Sequence, residues 1–273
     1  MQNKKNVSAT NKRKALLALL NDLYGLYDLS LSLYNTNLVR CLTGAPLKLS
    51  KRLKHLEQMV TLEYTNIWDC CCDHGLLGVA LLSRPAAKNI HFIDIVPELM
   101  AELESNLNRF HLSSSWKTHC LDVAKLPLEQ YEGKHLIIIA GVGGDLMIQF
   151  IDSIYQRHQS LTIDFLLCPV HHQFSLRQKL IALDFSIKDE VLVEDNQRFY
   201  EMMLVSSTSN QEMKINPVGD KIWLSESSKQ AATAQKYLHK TLKHFKRMQQ
   251  GNTKDVQHII DAYHAVSLRL ETM

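Results

Sequence analysis

The sequence lacks any stretch approaching the roughly 20 apolar residues that a bilayer-spanning helix needs, so a helical membrane protein is not expected. It also lacks a strong charge bias: 31 Lys and Arg against 28 Asp and Glu leave a formal +3, which neither demands nor forbids a polyanionic partner. Six cysteines are present without a CxxC pair, which removes the usual spacing of a structural zinc site. Cys70, Cys71 and Cys72 are consecutive, and adjacent residues cannot all be bridged with ordinary disulfide geometry. A reduced, cytoplasmic setting is therefore expected. The basic stretch 1–14 with Leu16, Leu17, Leu19 and Leu20 behind it only faintly resembles a signal peptide. Asn21 and Asp22 cut the apolar run short, and no small-residue cleavage site stands out.

What is present is a middle that alternates between β-rich runs and helical periodicity. Strands are predicted over 66–71, 89–94, 116–121, 135–140 and 164–168. Leu99, Met100, Leu103, Leu107 and Phe110 recur at helical spacing behind Pro97, and Leu146, Met147, Phe150, Ile151 and Ile154 repeat the pattern further on. Another helix is predicted over 175–183. Two last β-rich runs, 187–193 and 199–205, flank the polar stretch 194–198 and predict an antiparallel hairpin. This is an α/β chain with a parallel sheet wound by helices and closed by an antiparallel strand.

The ends differ. Residues 10–45 carry Leu and Tyr at near-helical spacing, broken by Gly25, Asn35 and Gly44, and predict one or two helices. Leu238, Leu242, Phe245 and Met248, then Val256, Ile259, Ile260, Tyr263, Val266 and Leu270, predict two antiparallel helices. Gly251 would close the first, and Asn252 or Thr253 would cap the second. Three units follow: a helical extension over 1–46, a ligand-binding α/β domain over 47–210 and a helical hairpin or coiled coil over 211–273. The first C-terminal helix carries Lys229, Lys236, Lys240, Lys243, Lys246 and Arg247. This is either a solvated face or an arm that meets nucleic-acid phosphates, to which Lys4, Lys5, Lys12, Arg13 and Lys14 could add.

A cofactor with a ribose and a charged amino-acid tail needs a strand ending in a tight turn, with carboxylates for its hydroxyls and ammonium. The run Asp69-Cys70-Cys71-Cys72-Asp73-His74-Gly75 supplies these, although Cys71 and Cys72 occupy positions where small residues are expected. Asp73 and His74 could instead merely cap the following helix. Asp94 with Ile95, and Asp122 with Val123, follow the second and third strands, so three carboxylates converge on one crevice. The fourth strand runs into Ala140-Gly141-Val142-Gly143-Gly144, a slim backbone beside which a flat base could lie. Cys168, His171 and His172 surround Pro169 after the fifth strand. The histidines face either a substrate or solvent, and no metal is assigned to them.

In order, Leu49-Ser50-Lys51-Arg52-Leu53, the Asp69–Leu77 run, Ile139-Ala140-Gly141-Val142-Gly143-Gly144, Pro169 and Glu194-Asp195-Asn196-Gln197-Arg198-Phe199-Tyr200-Glu201 resemble the motifs of the bacterial tRNA (adenine(22)-N1)-methyltransferases. The resemblance covers about 47–206. Departures are Cys71 for the family glycine, Val142 for methionine and Cys168 for the glutamine before Pro169. It implies a class I methyltransferase fold, a doubly wound seven-stranded sheet, with S-adenosyl-L-methionine as cofactor and tRNA as partner. Neither DNA nor membrane is expected, and monomer and homodimer both remain open. By this resemblance, Asp73 and His74 are the catalytic candidates. Asp69, Cys71, Asp73, Gly75, Asp94, Ile95, Asp122, Val123, Ala140, Gly141 and Gly143 would meet the cofactor. Arg52, His171, His172, Tyr200, Lys236, Lys240 and Lys243 would meet the substrate, with Tyr200 or Phe199 offering a stacking face. The alternatives are a non-catalytic RNA-binding protein on the same fold, or a methyltransferase acting on a small molecule or protein.

Overall fold

The computed structural model describes residues 49–108, 115–224, 227–251 and 255–271. The helices expected within 10–45, Phe110, Asn252 and Thr253 lie outside that set. In chain order the elements are α1 (Lys51–Met59), β1 (Asn66–Cys70), α2 (Leu76–Leu82), β2 (Asn89–Asp94), α3 (Pro97–Leu107), β3 (Ser115–Cys120), β4 (His135–Ala140), α4 (Gly144–Arg157), β5 (Ile163–Cys168), α5 (Gln173–Ala182), β6 (Ser186–Asp195), β7 (Arg198–Ser206), α6 (Ser228–Gln250) and α7 (Gln257–Glu271).

The strands form one seven-stranded sheet in the order β3-β2-β1-β4-β5-β7-β6. β1 to β5 pair in parallel, while β7 runs antiparallel to both β5 and β6. The chain leaves β1 in one direction toward β2 and β3, then returns to the other flank of β1 as β4. That reversal opens a crevice beyond the carboxyl ends of β1 and β4, the place where ligands bind in open α/β sheets.

Central strands are buried on both faces, which is why they read as apolar runs rather than alternations. One face packs Leu56 of α1, Leu77 and Leu81 of α2 and Leu103 of α3 onto Phe92, Ile138, Leu166 and Met202. The other packs Met147 and Ile151 of α4 and Leu176 and Leu180 of α5 onto Ile93, Ile137, Phe165 and Leu167. β3, at the edge, alternates between exposed and half-buried positions.

The expected antiparallel hairpin is present, with a tighter turn than the polar stretch suggests. Residues 194–198 were expected to form a polar connection, but Glu194 pairs with Phe199 and Asp195 with Arg198 in the ladder. Only Asn196 (φ 49) and Gln197 (φ 63) turn the corner. A two-residue turn with both φ positive matches the twist of the flanking strands, so the strands zip to the tip. β3 also begins and ends one residue early, at Ser115 and Cys120, although the Leu121 N–H still reaches the Asp94 carbonyl at 3.1 Å.

Ser227 caps α6 by accepting from Gln230 N, and Gly251 closes it with an ordinary right-handed φ of −76 rather than a left-handed cap. α6 and α7 bury Tyr237, Leu238, Ile260 and Tyr263 in a third core, into which Phe174, Leu192 and Phe199 of the sheet unit also pack. The chain keeps contact with the sheet beyond residue 210: Ile187 N donates to the Met213 carbonyl at 2.8 Å.

Candidate active site

On one side of the crevice β1 gives way to a turn in which Cys71 (φ 55), Asp73 (φ 52) and Gly75 (φ 69) all adopt the left-handed conformation. For the two non-glycine residues this costs roughly 1–2 kcal/mol each, so the surroundings must hold them there. Cys72 N donates to the Ile93 carbonyl (3.1 Å), Gly75 N to the Cys72 carbonyl (2.7 Å) and Asp73 N to Asp94 Oδ2 (3.1 Å). Asp69, 4% exposed, accepts from Gly78 N at 2.8 Å and so ties the strand end to the first turn of α2. Gly75, without a side-chain bond, occupies the cap position of α2. Asp73 and His74 are therefore not its cap; His74 Nε2 lies 3.5 Å from Asp73 Oδ1. The Cys71 side chain packs against the core beneath β1 and β4.

Asp94 Oδ1 accepts from Val96 N at 3.1 Å, and burial raises the carboxyl above its usual range. Burial lifts Asp69 to about 7. Beside Asp94 stands Ile95, 51% exposed, a large apolar side chain at the mouth of the crevice. Asp122 caps the 3-10 turn Val123–Lys125 by accepting from Ala124 N at 2.9 Å, and the Val123 side chain is buried beneath it. Only the Val123 backbone is left to meet a ligand.

The other side of the crevice is built by β4, β5 and the hairpin. Gly141 has φ 86, which favours glycine, and donates its N–H to the Cys168 carbonyl at 3.3 Å. A Cβ at Gly141 would lie 3.7 Å from Arg52 Nη1. The Arg52 guanidinium carbon sits 5.2 Å from the centroid of the Tyr200 ring, a cation–π arrangement. Tyr200 is 9% exposed, so the expected stacking face is already covered and the guanidinium presents the outer surface. Phe199 faces Lys240, whose Nζ lies 5.4 Å from its centroid.

The loops after β4 and β5 are joined through Val170 N to the Val142 carbonyl and Gly144 N to the His171 carbonyl, both at 3.0 Å. A Cβ at Gly143 would lie 2.1 Å from the His171 ring, so that imidazole rests directly on the glycine. Burial and the neighbouring His172 hold His171 below the usual imidazole range, leaving it neutral at pH 7. His172 Nδ1 lies 2.7 Å from Asp145 Oδ2. Burial pushes the Cys168 thiol up to about 12 and raises those of Cys70, Cys71 and Cys72, so all four are protonated at neutral pH. Among the described residues no group of three or more His, Cys, Asp or Glu side chains is arranged to hold a metal ion.

A family profile described as a methyltransferase domain matches residues 49–203, more than half of the chain. The chain belongs to the methyltransferase family. No curated protein matches the sequence significantly. Several solved structures share the fold of this methyltransferase. The M. capricolum TrmK, in complex with S-adenosylhomocysteine, is 16% identical, with a TM-score of 0.57 over 82% of this chain and 95% of that one. Sp1610 from Streptococcus pneumoniae, in complex with S-adenosyl-L-methionine, is 20% identical, with a TM-score of 0.60 over 80% and 99%. The M1A22 tRNA methyltransferase TrmK of B. subtilis is 18% identical, with a TM-score of 0.58 over 83% and 97%.

The methyltransferase thus gathers its candidate residues in two groups. Asp69, Cys71, Asp73, His74, Gly75, Asp94 and Ile95 surround the β1 and β2 ends, with Asp122 and Val123 after β3. Arg52, Ala140, Gly141, Gly143, His171, His172 and Tyr200 surround the β4, β5 and β7 ends. Lys236, Lys240 and Lys243 stand apart on α6, Lys236 Nζ lying 3.8 Å from Glu194 Oε2 at the hairpin tip. Two contributors were not foreseen. Asp195 Oδ2 accepts from Arg52 N at 3.0 Å and anchors the first turn of α1, and Asp145 pairs with His172. Asp145 could have been read from its place just after the glycines, in a first helical turn. Asp195 carries no such local signal, because its partner Arg52 lies in a helix before the sheet.

Proposed function

We propose that the chain transfers a methyl group from S-adenosyl-L-methionine to N1 of an adenine in tRNA. The residues at the β1 and β2 ends fit that cofactor: Asp94 offers a carboxylate at a strand end, and exposed Ile95 offers an apolar face for adenine. Bound there, the cofactor supplies an electrophilic methyl carbon. The chain's own contribution is alignment and exclusion of water. Gly141 and Gly143 leave room for a flat ring, the Arg52 guanidinium gives it a planar neighbour, and neutral His171 closes the wall. Asp73 and His74 lie where they can orient the base edge. No covalent enzyme intermediate is required, consistent with the protonated thiols. An adenine N1 engaged in pairing must first be unpaired or flipped out of its helix.

The observation that carries the RNA reading is the course of α6. Lys229, Lys236, Lys240, Lys243 and Arg247 are all exposed, and their spacings of 7, 4, 3 and 4 put them on one helical face. α6 crosses the hairpin tip at Glu194 and Phe199, at the end of the sheet where the loops after β4 and β5 also lie. A cationic stripe beside the acceptor side of the crevice suits a phosphate backbone better than a small molecule. The test is incubation with labelled S-adenosyl-L-methionine and unmodified total tRNA, followed by nucleoside mapping. Label in 1-methyladenosine is expected. Label in another nucleoside would overturn the acceptor, and labelling of protein or small molecules alone would overturn the RNA.

A further inference from the structure

Arg177 of α5 is completely buried, and nothing in the transfer reaction uses it. Its Nε donates to Glu201 Oε2 at 2.8 Å, its Nη2 to Glu190 Oε2 at 2.6 Å and its Nη1 to the Asn216 carbonyl at 3.2 Å. The second oxygen of each carboxylate is engaged as well. Glu190 Oε1 accepts from the backbone N–H groups of Asp220 (2.6 Å) and Lys221 (2.7 Å), and Glu201 Oε1 accepts from the Tyr237 hydroxyl at 2.5 Å. One buried network therefore joins α5, β6, β7, the segment 216–221 and the basic helix α6.

A buried ion network adds little stability over well-packed apolar residues, because desolvation of its charges offsets their attraction. Its particular contribution is directional. The rest of the buried seam between α6 and the sheet unit is apolar and aromatic: Tyr237 stacks on Trp223 with ring centroids 5.8 Å apart, and Phe199, Leu192 and Leu238 pack around them. Lys236 and Lys240 meet Glu194 and Phe199 only through long, solvent-exposed side chains that leave the helix free to turn. Such contacts tolerate rotation of a helix about its axis, whereas a hydroxyl bonded to a fixed carboxylate does not. Tyr237 follows Lys236 directly, so whatever fixes its angle also fixes Lys236, Lys240 and Lys243. On a helix about 5–6 Å in radius, a turn of about 30° displaces side-chain tips by about 3 Å, roughly the length of a hydrogen bond.

We propose that Tyr237 is a positioning residue, which through Glu201 and Arg177 sets the rotation of α6 so that its lysine stripe holds the acceptor RNA in register with the crevice. The proposal rests on the reading of α6 as the RNA-contacting helix. Tyr237→Phe in the full chain keeps the stacked ring and removes only the hydroxyl. With total tRNA as substrate, KM is expected to rise about tenfold while kcat stays within about twofold, the pattern of lost substrate binding without lost chemistry. Affinity for S-adenosylhomocysteine should not change. A second measurement does not depend on RNA: the distance distribution between nitroxide labels at Gln159→Cys and Lys246→Cys, in a Cys41→Ser, Cys120→Ser background. One narrow distribution is expected with Tyr237 and a broadened or shifted one with Phe. An unchanged distribution would overturn the lock, and a broadened distribution with unchanged KM would overturn its role in RNA register. If the parent protein methylates no tRNA, the reading of function fails while the distance measurement still decides the lock.

Discussion

At the scale of single residues, the proposed acceptor wall turns on how closely His171 lies over Gly143. A methyl group at residue 143 would meet the ring at 2.1 Å, and the ring, as a side chain on a loop, is what would move. Overpacking of this kind typically costs about 1–3 kcal/mol. Gly143→Ala is expected to lower kcat/KM about tenfold or more while leaving cofactor affinity near the parent value. In a His171→Ala background the same change should have almost no effect, because the partner of the clash is gone. Steady-state kinetics of the four proteins checks this, and additive effects would show that some other contact is responsible. The positions of Asp94 and Gly143 were legible from the sequence because strand ends and glycines carry local signals. The closure of Tyr200 by Arg52 was not, since it joins a helix before the sheet to the last strand of the chain, far away in sequence.

At the scale of elements, the strands were legible because two-sided burial demands apolar runs, and the helices because Pro97 and the leucine spacing mark them. The hairpin was legible too, but not the two-residue length of its turn, since a polar stretch says nothing of whether its backbone is paired. The lock between α5, β6, β7 and α6 was equally invisible, because Arg177, Glu190, Glu201 and Tyr237 look like ordinary surface residues until the topology buries them together. α6 itself supports a direct expectation. Replacing Lys236, Lys240 and Lys243 together by Ala should weaken tRNA binding at low salt and flatten the dependence of log K on log salt. The change in slope should be about 0.7–0.9 per phosphate contact removed, so about 2 to 3 in total. Binding measured across a salt series decides it; an unchanged slope would mean that the stripe is only a solvated face.

At the scale of the whole molecule, two buried groups pull stability in opposite directions as pH falls. His91, stacked on Trp68 with centroids 3.9 Å apart, is held down to about 3 by burial, against 6.5 when free. Below pH 6.5 the unfolded chain binds a proton that the folded chain refuses, so His91 destabilises the fold progressively toward pH 3. Asp69, raised by burial to about 7 from 3.8, does the reverse: between those values the folded chain holds a proton that the unfolded chain releases, and stability rises as pH falls. Urea midpoints of the parent should therefore change little between pH 7 and pH 5 from this pair, while Asp69→Asn should lose stability steeply. Parallel curves for the two proteins would refute the balance. The arrangement of the sheet places both groups in strands next to the crevice, Asp69 at the end of β1 and His91 within β2. If this crevice binds S-adenosyl-L-methionine against Asp94, calorimetric titration at physiological salt will show it. Saturable one-to-one binding of the cofactor or its demethylated product is expected, weakened about tenfold or more in Asp94→Ala, as for loss of a hydrogen bond to a charged group. No binding by the parent protein, or the same affinity in Asp94→Ala, would contradict it.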